Sequence, residues 1–242
     1  NSEAPLLTEL VGHHMGAGAL DKLPTVWAAM RYIRAAAQFY LQMSKSLGGD
    51  TMLEKNRYPG RGIIIGKTAA GDKSVVAYFI MGRSTNSRNR IFEECPDGIR
   101  TRAFDESKMV DPSLIIYHPV RMLGRGMIVT NGDQTDTVRD FLERGLPFEQ
   151  ALRTREFEPD SPNWTPRISG LLSPDGSYKL NILKSADAEG SGCLRQTFEY
   201  PGQAGVAHYL HTYKCDGDPI PSFEGEPEHI AIGDQDIDAF AA

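Results

Sequence analysis

The sequence predicts an α+β fold, and two observations carry that prediction. Segments with strand texture run both before and after two central helical segments, whereas βαβ units alternate strand with helix. The first two strand segments, 62–66 and 74–81, are apolar runs joined by residues 68–73, where Gly71-Asp72 marks a hairpin connection.

The elements follow in chain order. Residues 1–21 read as irregular, because Gly12, Gly16 and Gly18 argue against a continuous helix. Residues 24–46 read as a helix: Leu23, Trp27, Met30, Ile33, Ala37, Tyr40 and Met43 recur at spacings of three and four. Pro24 suits its first turn and Gly48-Gly49 stop it, while Arg31 and Arg34 direct it to a protein face rather than a membrane. Strand texture begins at Tyr58, and further strands are expected near 99–104, 114–117, 122–123 and 127–129. A helix over 135–143 should start at the turn 131–136, whose Asp and Thr residues can cap it. A second, over 147–154, opens with Pro147 and then Glu149. Residues 165–172, 178–184, 196–200 and 206–213 read as the later strands. The stretch from Cys215 to Ala242 is rich in Pro, Gly and acids and reads as a solvated acidic tail, without the residue order of a calcium loop.

The change of texture divides the 242 residues into an N-terminal irregular segment and helix, 1–57, and a domain over 58–242. A formal charge of -6 argues against general nucleic-acid binding, which needs a basic surface, so nucleic acid is not an expected partner. Arginine clusters inside an acidic chain point instead to a focused anion site. Cys95, Cys193 and Cys215 are far apart and form no zinc spacing, so no metal is expected; adjacent His13-His14 read as solvated residues. No apolar run reaches the ~18 residues of a membrane span, and the first residues lack the layout of a secretory signal. A cytoplasmic protein with no membrane partner is expected.

Three polar stretches, 82–90, 130–137 and 163–168, interrupt the apolar strand sequence. Each supplies hydroxyls, carboxamides or guanidinium forks, the groups that hold a phosphorylated sugar. The bland readings are a solvated loop for Arg83, Arg88 and Arg90, and a β-turn with helix capping for Asn131 to Thr137. No P-loop, dinucleotide fingerprint or serine-nucleophile elbow is present, and Cys95 with His118 makes no known thiol signature.

Taken in order, the motifs resemble the archaeal-type IMP cyclohydrolase family. They are Tyr58 to Arg61 with its strand, Ser84 to Asn89-Arg90, Tyr117, Asn131-Gly132 before Thr135-Asp136-Thr137, Phe157-Glu158, and Asn163 with Thr165-Pro166-Arg167-Ile168. The resemblance implies a four-layer αββα sandwich similar to Ntn hydrolases, here with an extra N-terminal helix. It implies closure of 5-formamidoimidazole-4-carboxamide ribonucleotide to inosine 5′-monophosphate (IMP), with loss of water and without a cofactor. It places the catalytic arginine, tyrosine and glutamate on Arg90, Tyr117 and Glu158. Candidate phosphate partners are Arg61, Arg83 and Arg167; Ser84, Asn89, Asn131, Thr135, Asp136 and Thr165 are the other substrate-binding candidates. The N-terminal helix departs from the family pattern and would cover the sandwich or contact another copy of the chain. His118 and the spacing from Pro112 to Tyr117 also depart from it. Two alternatives stay open: an Ntn-like amidohydrolase on another amide or cyclic amidine, and a non-enzymatic purine-nucleotide-binding module.

Overall fold

The computed structural model describes residues 56–109, 111–112 and 115–233, so the helix expected over 24–46 lies outside the described residues. The described chain is sheet-rich α+β. Its strands are β1 (Arg61–Lys67), β2 (Ser74–Ile80), β3 (Arg90–Cys95), β4 (Gly98–Ala103), β5 (Val120–Leu123) and β6 (Gly126–Thr130). After the helices come β7 (Arg167–Leu172), β8 (Tyr178–Ser185), β9 (Cys193–Tyr200), β10 (Val206–His211) and β11 (Glu228–Ala231). The helices are α1 (Thr85–Arg88), α2 (Gln134–Glu143) and α3 (Phe148–Arg153). Among the described residues no helix is long and apolar enough to cross a membrane.

The strands form two antiparallel sheets, one in the order β11-β10-β1-β2 and one in the order β3-β4-β5-β6-β7-β8-β9. Three consecutive isoleucines on β1 show how the layers stack. Ile63 and Ile65 join Met127, Val129, Ile168, Leu172, Leu180 and Ile182 of the larger sheet in one buried core. Ile64 points the other way, with Val75, Phe79, Ala207, Tyr209 and Ile230. Period-2 alternation therefore gives the smaller sheet two apolar faces. Each fully buried isoleucine contributes about 2–3 kcal/mol of transfer free energy. On its other face the larger sheet carries Ile128 and Leu183, which pack under Val138 of α2 and Phe148, Ala151 and Leu152 of α3.

The β1–β2 hairpin forms as the sequence predicts: Thr68 N–H donates to the Lys73 carbonyl at 3.0 Å, and Gly71 takes φ +74° in the turn. Four expectations are corrected. Residues 114–117 form no strand among the described residues. Thr101 Oγ1 donates to the Ile115 carbonyl and accepts from Tyr117 N–H, and Thr101 N–H donates to the Tyr117 carbonyl at 2.8 Å, so one residue clips the segment to β4 without a ladder. Conversely β3 was not foreseen, because polar 82–90 hides its start and Glu93-Glu94 break its apolar run. The supposed solvated tail folds as far as residue 233: Ile220 and Phe223 are buried and β11 pairs with β10. Their spacing is irregular, so no period announces them. Finally, α2 has Asp133 at its N-cap without a capping bond, because that carboxylate faces Arg155 and Arg167.

Candidate active site

One rim of the two sheets gathers the polar side chains. β1, β3 and β7 begin there, with Arg61, Arg90 and Arg167 as their first residues, while β2, β6 and β10 end there. A rim of strand ends is where side chains can leave the apolar core without breaking a ladder.

Arg61 shares the alternation of Ile63 and Ile65, so register turns it toward the space between the sheets. It is buried, and burial opposes its charge, but the Glu158 carboxylate and then Tyr213, Tyr117 and Tyr78 more than offset this and raise its proton affinity. Arg90 is buried as well, and burial depresses its proton affinity; Tyr117 counters that, while Arg61 adds to it. Burial likewise pushes the Glu158 carboxyl above its ordinary range, against the pull of Arg61, Arg167 and Arg90. Arg61, Arg90, Tyr117 and Glu158 thus share one electrostatic neighbourhood, although they come from four separate segments.

Two guanidinium nitrogens in this cluster are buried without a hydrogen-bond partner among the described residues, Nε of Arg61 and Nη1 of Arg90. Nε of Arg90 is fixed at 2.9 Å from the Ser87 carbonyl, at the end of α1, which leaves the rest of the fork available. Buried donors without acceptors are rare in folded proteins, and an anionic or carbonyl ligand would satisfy them. The Tyr117 hydroxyl lies 2.8 Å from that of Tyr78, with both rings buried. Glu158 is presented by a closed loop. Its N–H donates to the Thr165 carbonyl at 2.9 Å, and Asp160 accepts from the Thr165 N–H at 2.6 Å and its hydroxyl at 2.5 Å. No hydrogen bond to the Glu158 carboxylate forms among the described residues.

The remaining candidates separate by what holds them. Arg83 is substantially exposed, pairs with Asp216 at 3.2 Å and has its guanidinium 5.6 Å from the Tyr58 ring centre. Ser84 caps α1, and Asn89 clamps Asp105 through both ends of its carboxamide. Thr165 Oγ1 lies 2.6 Å from the Tyr213 hydroxyl. Arg167 turns to the α2 side, donating to Asp133 at 2.8 Å and Gln134 at 2.7 Å. Thr135 bonds the Gly132 carbonyl and Thr130, and Asp136 pairs with Arg121 at 2.9 Å.

Asn131 is held within the fold by three hydrogen bonds. Its Oδ1 accepts from Ile168 N–H at 2.8 Å and Gln134 Nε2 at 3.1 Å, and its Nδ2 donates to the Pro166 carbonyl at 2.9 Å. Asn131→Ala is therefore expected to cost about 3 kcal/mol by orphaning buried partners, lowering Tm by roughly 10 °C in a thermal melt. An unchanged melt would show that these bonds contribute nothing net.

With this geometry in place, the relatives become informative. Residues 58–242 match the family described as IMP cyclohydrolase-like protein. The chain belongs to that family. It is similar to the IMP cyclohydrolase of Methanococcus aeolicus, 30% identical over 162 residues that cover 65% of this chain and 75% of that protein. The Halobacterium salinarum enzyme is 33% identical over 135 residues, 54% of this chain and 64% of its own length. That of Methanopyrus kandleri is 28% identical over 184 residues, covering 69% and 89%. The family match begins at Tyr58, where strand texture also begins in the sequence.

Tyr78 and Tyr213 belong to the same neighbourhood but were not singled out from the sequence. A signal existed for Tyr78: it alternates with Val76 and Ile80 on a core strand, where a phenol must find a partner. Tyr213 follows β10 and carried no comparable pattern.

Proposed function

We propose that this chain is an IMP cyclohydrolase, closing 5-formamidoimidazole-4-carboxamide ribonucleotide to IMP with loss of water. The observation that carries the reading is the convergence of Arg90, Tyr117 and Glu158 beside Arg61, with buried guanidinium donors left for a ligand. The relatives named for this reaction support it.

The chemistry assigns each group a task. The carboxamide nitrogen attacks the formyl carbon, forming the new C–N bond and leaving charge on the formyl oxygen. Amide nitrogen is a weak nucleophile, so holding the two substituents in contact supplies much of the rate. Arg90 stabilises the developing oxyanion. Glu158 and Tyr117 move the protons: the carboxamide nitrogen and the formamido nitrogen each give up one, the former formyl oxygen receives two, and the C–O bond breaks to release water as C=N forms. No redox change accompanies these steps, and the chain supplies both proton-transfer groups.

Arg83, at the exposed mouth, is the phosphate partner in this reading, with Arg61 and Arg167 setting the positive field behind it. Ser84, Asn89, Asn131, Thr135, Asp136 and Thr165 shape the substrate's surroundings, chiefly by fixing the loops and turns that carry the reacting groups. We also propose an Ntn-hydrolase-like αββα arrangement for 58–242. The apolar Ile64, Phe79, Tyr209 and Ile230 on the outer face of the smaller sheet support a covering layer there.

Ultraviolet absorbance tests the function directly. Purified protein mixed with the formylated ribonucleotide should form IMP well above the uncatalysed rate. Binding of IMP without turnover would recast the chain as a nucleotide-binding module, and neither binding nor turnover would remove the site assignment altogether.

A further inference from the structure

We infer that Asp160 is a positioning residue for Glu158, gathering Thr165 with both oxygens of its carboxylate so that the loop holds the Glu158 side chain at the rim. The inference rests on the cyclohydrolase reading and deepens it, because it names what keeps one of the two proton-moving groups in place.

The need for such a residue follows from what Glu158 lacks. It is buried, yet among the described residues its carboxylate receives no hydrogen bond, so its placement falls to the backbone that carries it. The Glu158 N–H donates to the Thr165 carbonyl at 2.9 Å, and the loop turns back on itself there. Thr165 is held in turn by Asp160: its N–H donates to Oδ1 at 2.6 Å and its hydroxyl to Oδ2 at 2.5 Å. Both directions are fixed, since an amide N–H only donates and a carboxylate only accepts.

The Asp160 carbonyl also accepts from the N–H groups of Asn163 at 3.0 Å and Trp164 at 3.3 Å. Trp164 takes φ +43° in this turn, a left-handed conformation that a residue with a side chain keeps only when its surroundings hold it. Thr165 carries the constraint outward. Its hydroxyl lies 2.6 Å from that of Tyr213, just past β10 of the smaller sheet, and two residues later Arg167 opens β7 of the larger one. One carboxylate thus ties the Glu158 loop to both sheets.

Charge gives Asp160 a second hold on the same group. Burial is the chief reason that the Glu158 carboxyl keeps its proton more tightly than usual. Arg61 on β1, Arg167 on β7 and Arg90 on β3 oppose it, while Asp160 on the same loop adds to it. Of these four charges, Asp160 is the one that a substitution can neutralise without taking a guanidinium from the cluster.

Asp160→Asn tests the inference. It keeps the size and one oxygen for the Thr165 N–H, and removes the charge and one acceptor. It should lower kcat by about 10- to 100-fold with KM within about twofold, since a displaced reacting group costs rate more than affinity. The acidic limb of kcat/KM should also move to lower pH, because the charge that favours the Glu158 proton is gone. Wild-type kcat, an unmoved limb, or a loss confined to KM would each overturn the inference. If Asp160→Asn fails to fold, Thr165→Val, which deletes the hydroxyl Asp160 grips, must lower kcat in its place; wild-type kcat there would sink the idea. If the wild-type protein shows no cyclisation, the function itself falls and the loop is judged without turnover. Stability against pH, compared between each protein and its Glu158→Gln derivative, then reads the Glu158 proton. The difference should lie at lower pH in Asp160→Asn, and the same window in both backgrounds would remove Asp160 from the role.

Discussion

Arg90→Ala is expected to lower kcat by about 10³-fold or more while the protein stays folded. The first half follows from position: Arg90 opens β3 at the rim, Ser87 holds its Nε, and its Nη1 is buried with no partner among the described residues. A guanidinium fixed in that way is preorganised for charge that appears only during the reaction. The second half follows from electrostatics. Burial and the neighbouring Arg61 both disfavour the Arg90 charge, with only partial relief from Tyr117, so the folded state bears a cost that alanine removes. That relief offsets part of the lost packing of the arginine stem. Arg90→Lys should recover little activity, because an ammonium keeps the charge but not the fork. Turnover near wild type in Arg90→Ala would take this residue out of the mechanism. A collapsed melting transition would instead mean that Arg90 holds β3 to the sandwich.

Legibility from the sequence tracked the period of the side chains. β1 and β2 could be placed to within a residue or two because their apolar runs end at glycine and a hairpin connection. α2 and α3 were equally clear, since Pro147 and the polar turn before α2 punctuate them. β3 and β11 were hidden for a physical reason: Glu93-Glu94 and Glu228-His229 fall inside them, so neither shows an apolar run long enough to read as a strand. The site was legible as a set of residue types but not as an arrangement. Arg90, Tyr117 and Glu158 stand far apart in the chain, and only the strand register brings their segments to one rim. Conversely, the carboxamide of Asn131 looks identical in sequence whatever it bonds, and only the structure shows it tied to the Pro166 carbonyl and the Ile168 N–H at the start of β7. Tyr78 illustrates the remaining gap. Its alternation announces a core residue, and only the structure shows its hydroxyl 2.8 Å from that of Tyr117.

Glu158→Gln is expected to abolish activity and to remove the pH dependence of stability that the buried carboxylate imposes. Glutamine keeps the shape and cannot accept a proton, so kcat should fall by about 10²- to 10⁴-fold if the carboxylate is the base. The stability prediction follows from the direction of the Glu158 shift. Burial raises its folded value above that of the unfolded chain, outweighing Arg61 and Arg167, so the folded state holds the proton more tightly. Its contribution to stability is therefore complete below the ordinary carboxylate range and is lost as pH rises through the raised folded value. Above that window the ionised carboxylate carries its burial cost while serving as the counter-charge to Arg61, and an uncharged isostere removes both. The same shift shapes the rate profile. Activity of the wild-type protein should rise with pH along a limb set by Glu158, displaced upward from the usual carboxylate range, and Glu158→Gln should erase that limb from what activity remains. A stability curve against pH for both proteins, beside their kcat/KM profiles, checks both claims. If Glu158→Gln were markedly less stable at neutral pH, the carboxylate would be acting mainly as the counter-charge that keeps Arg61 in place. If the acidic limb survived the substitution, another group would be the base.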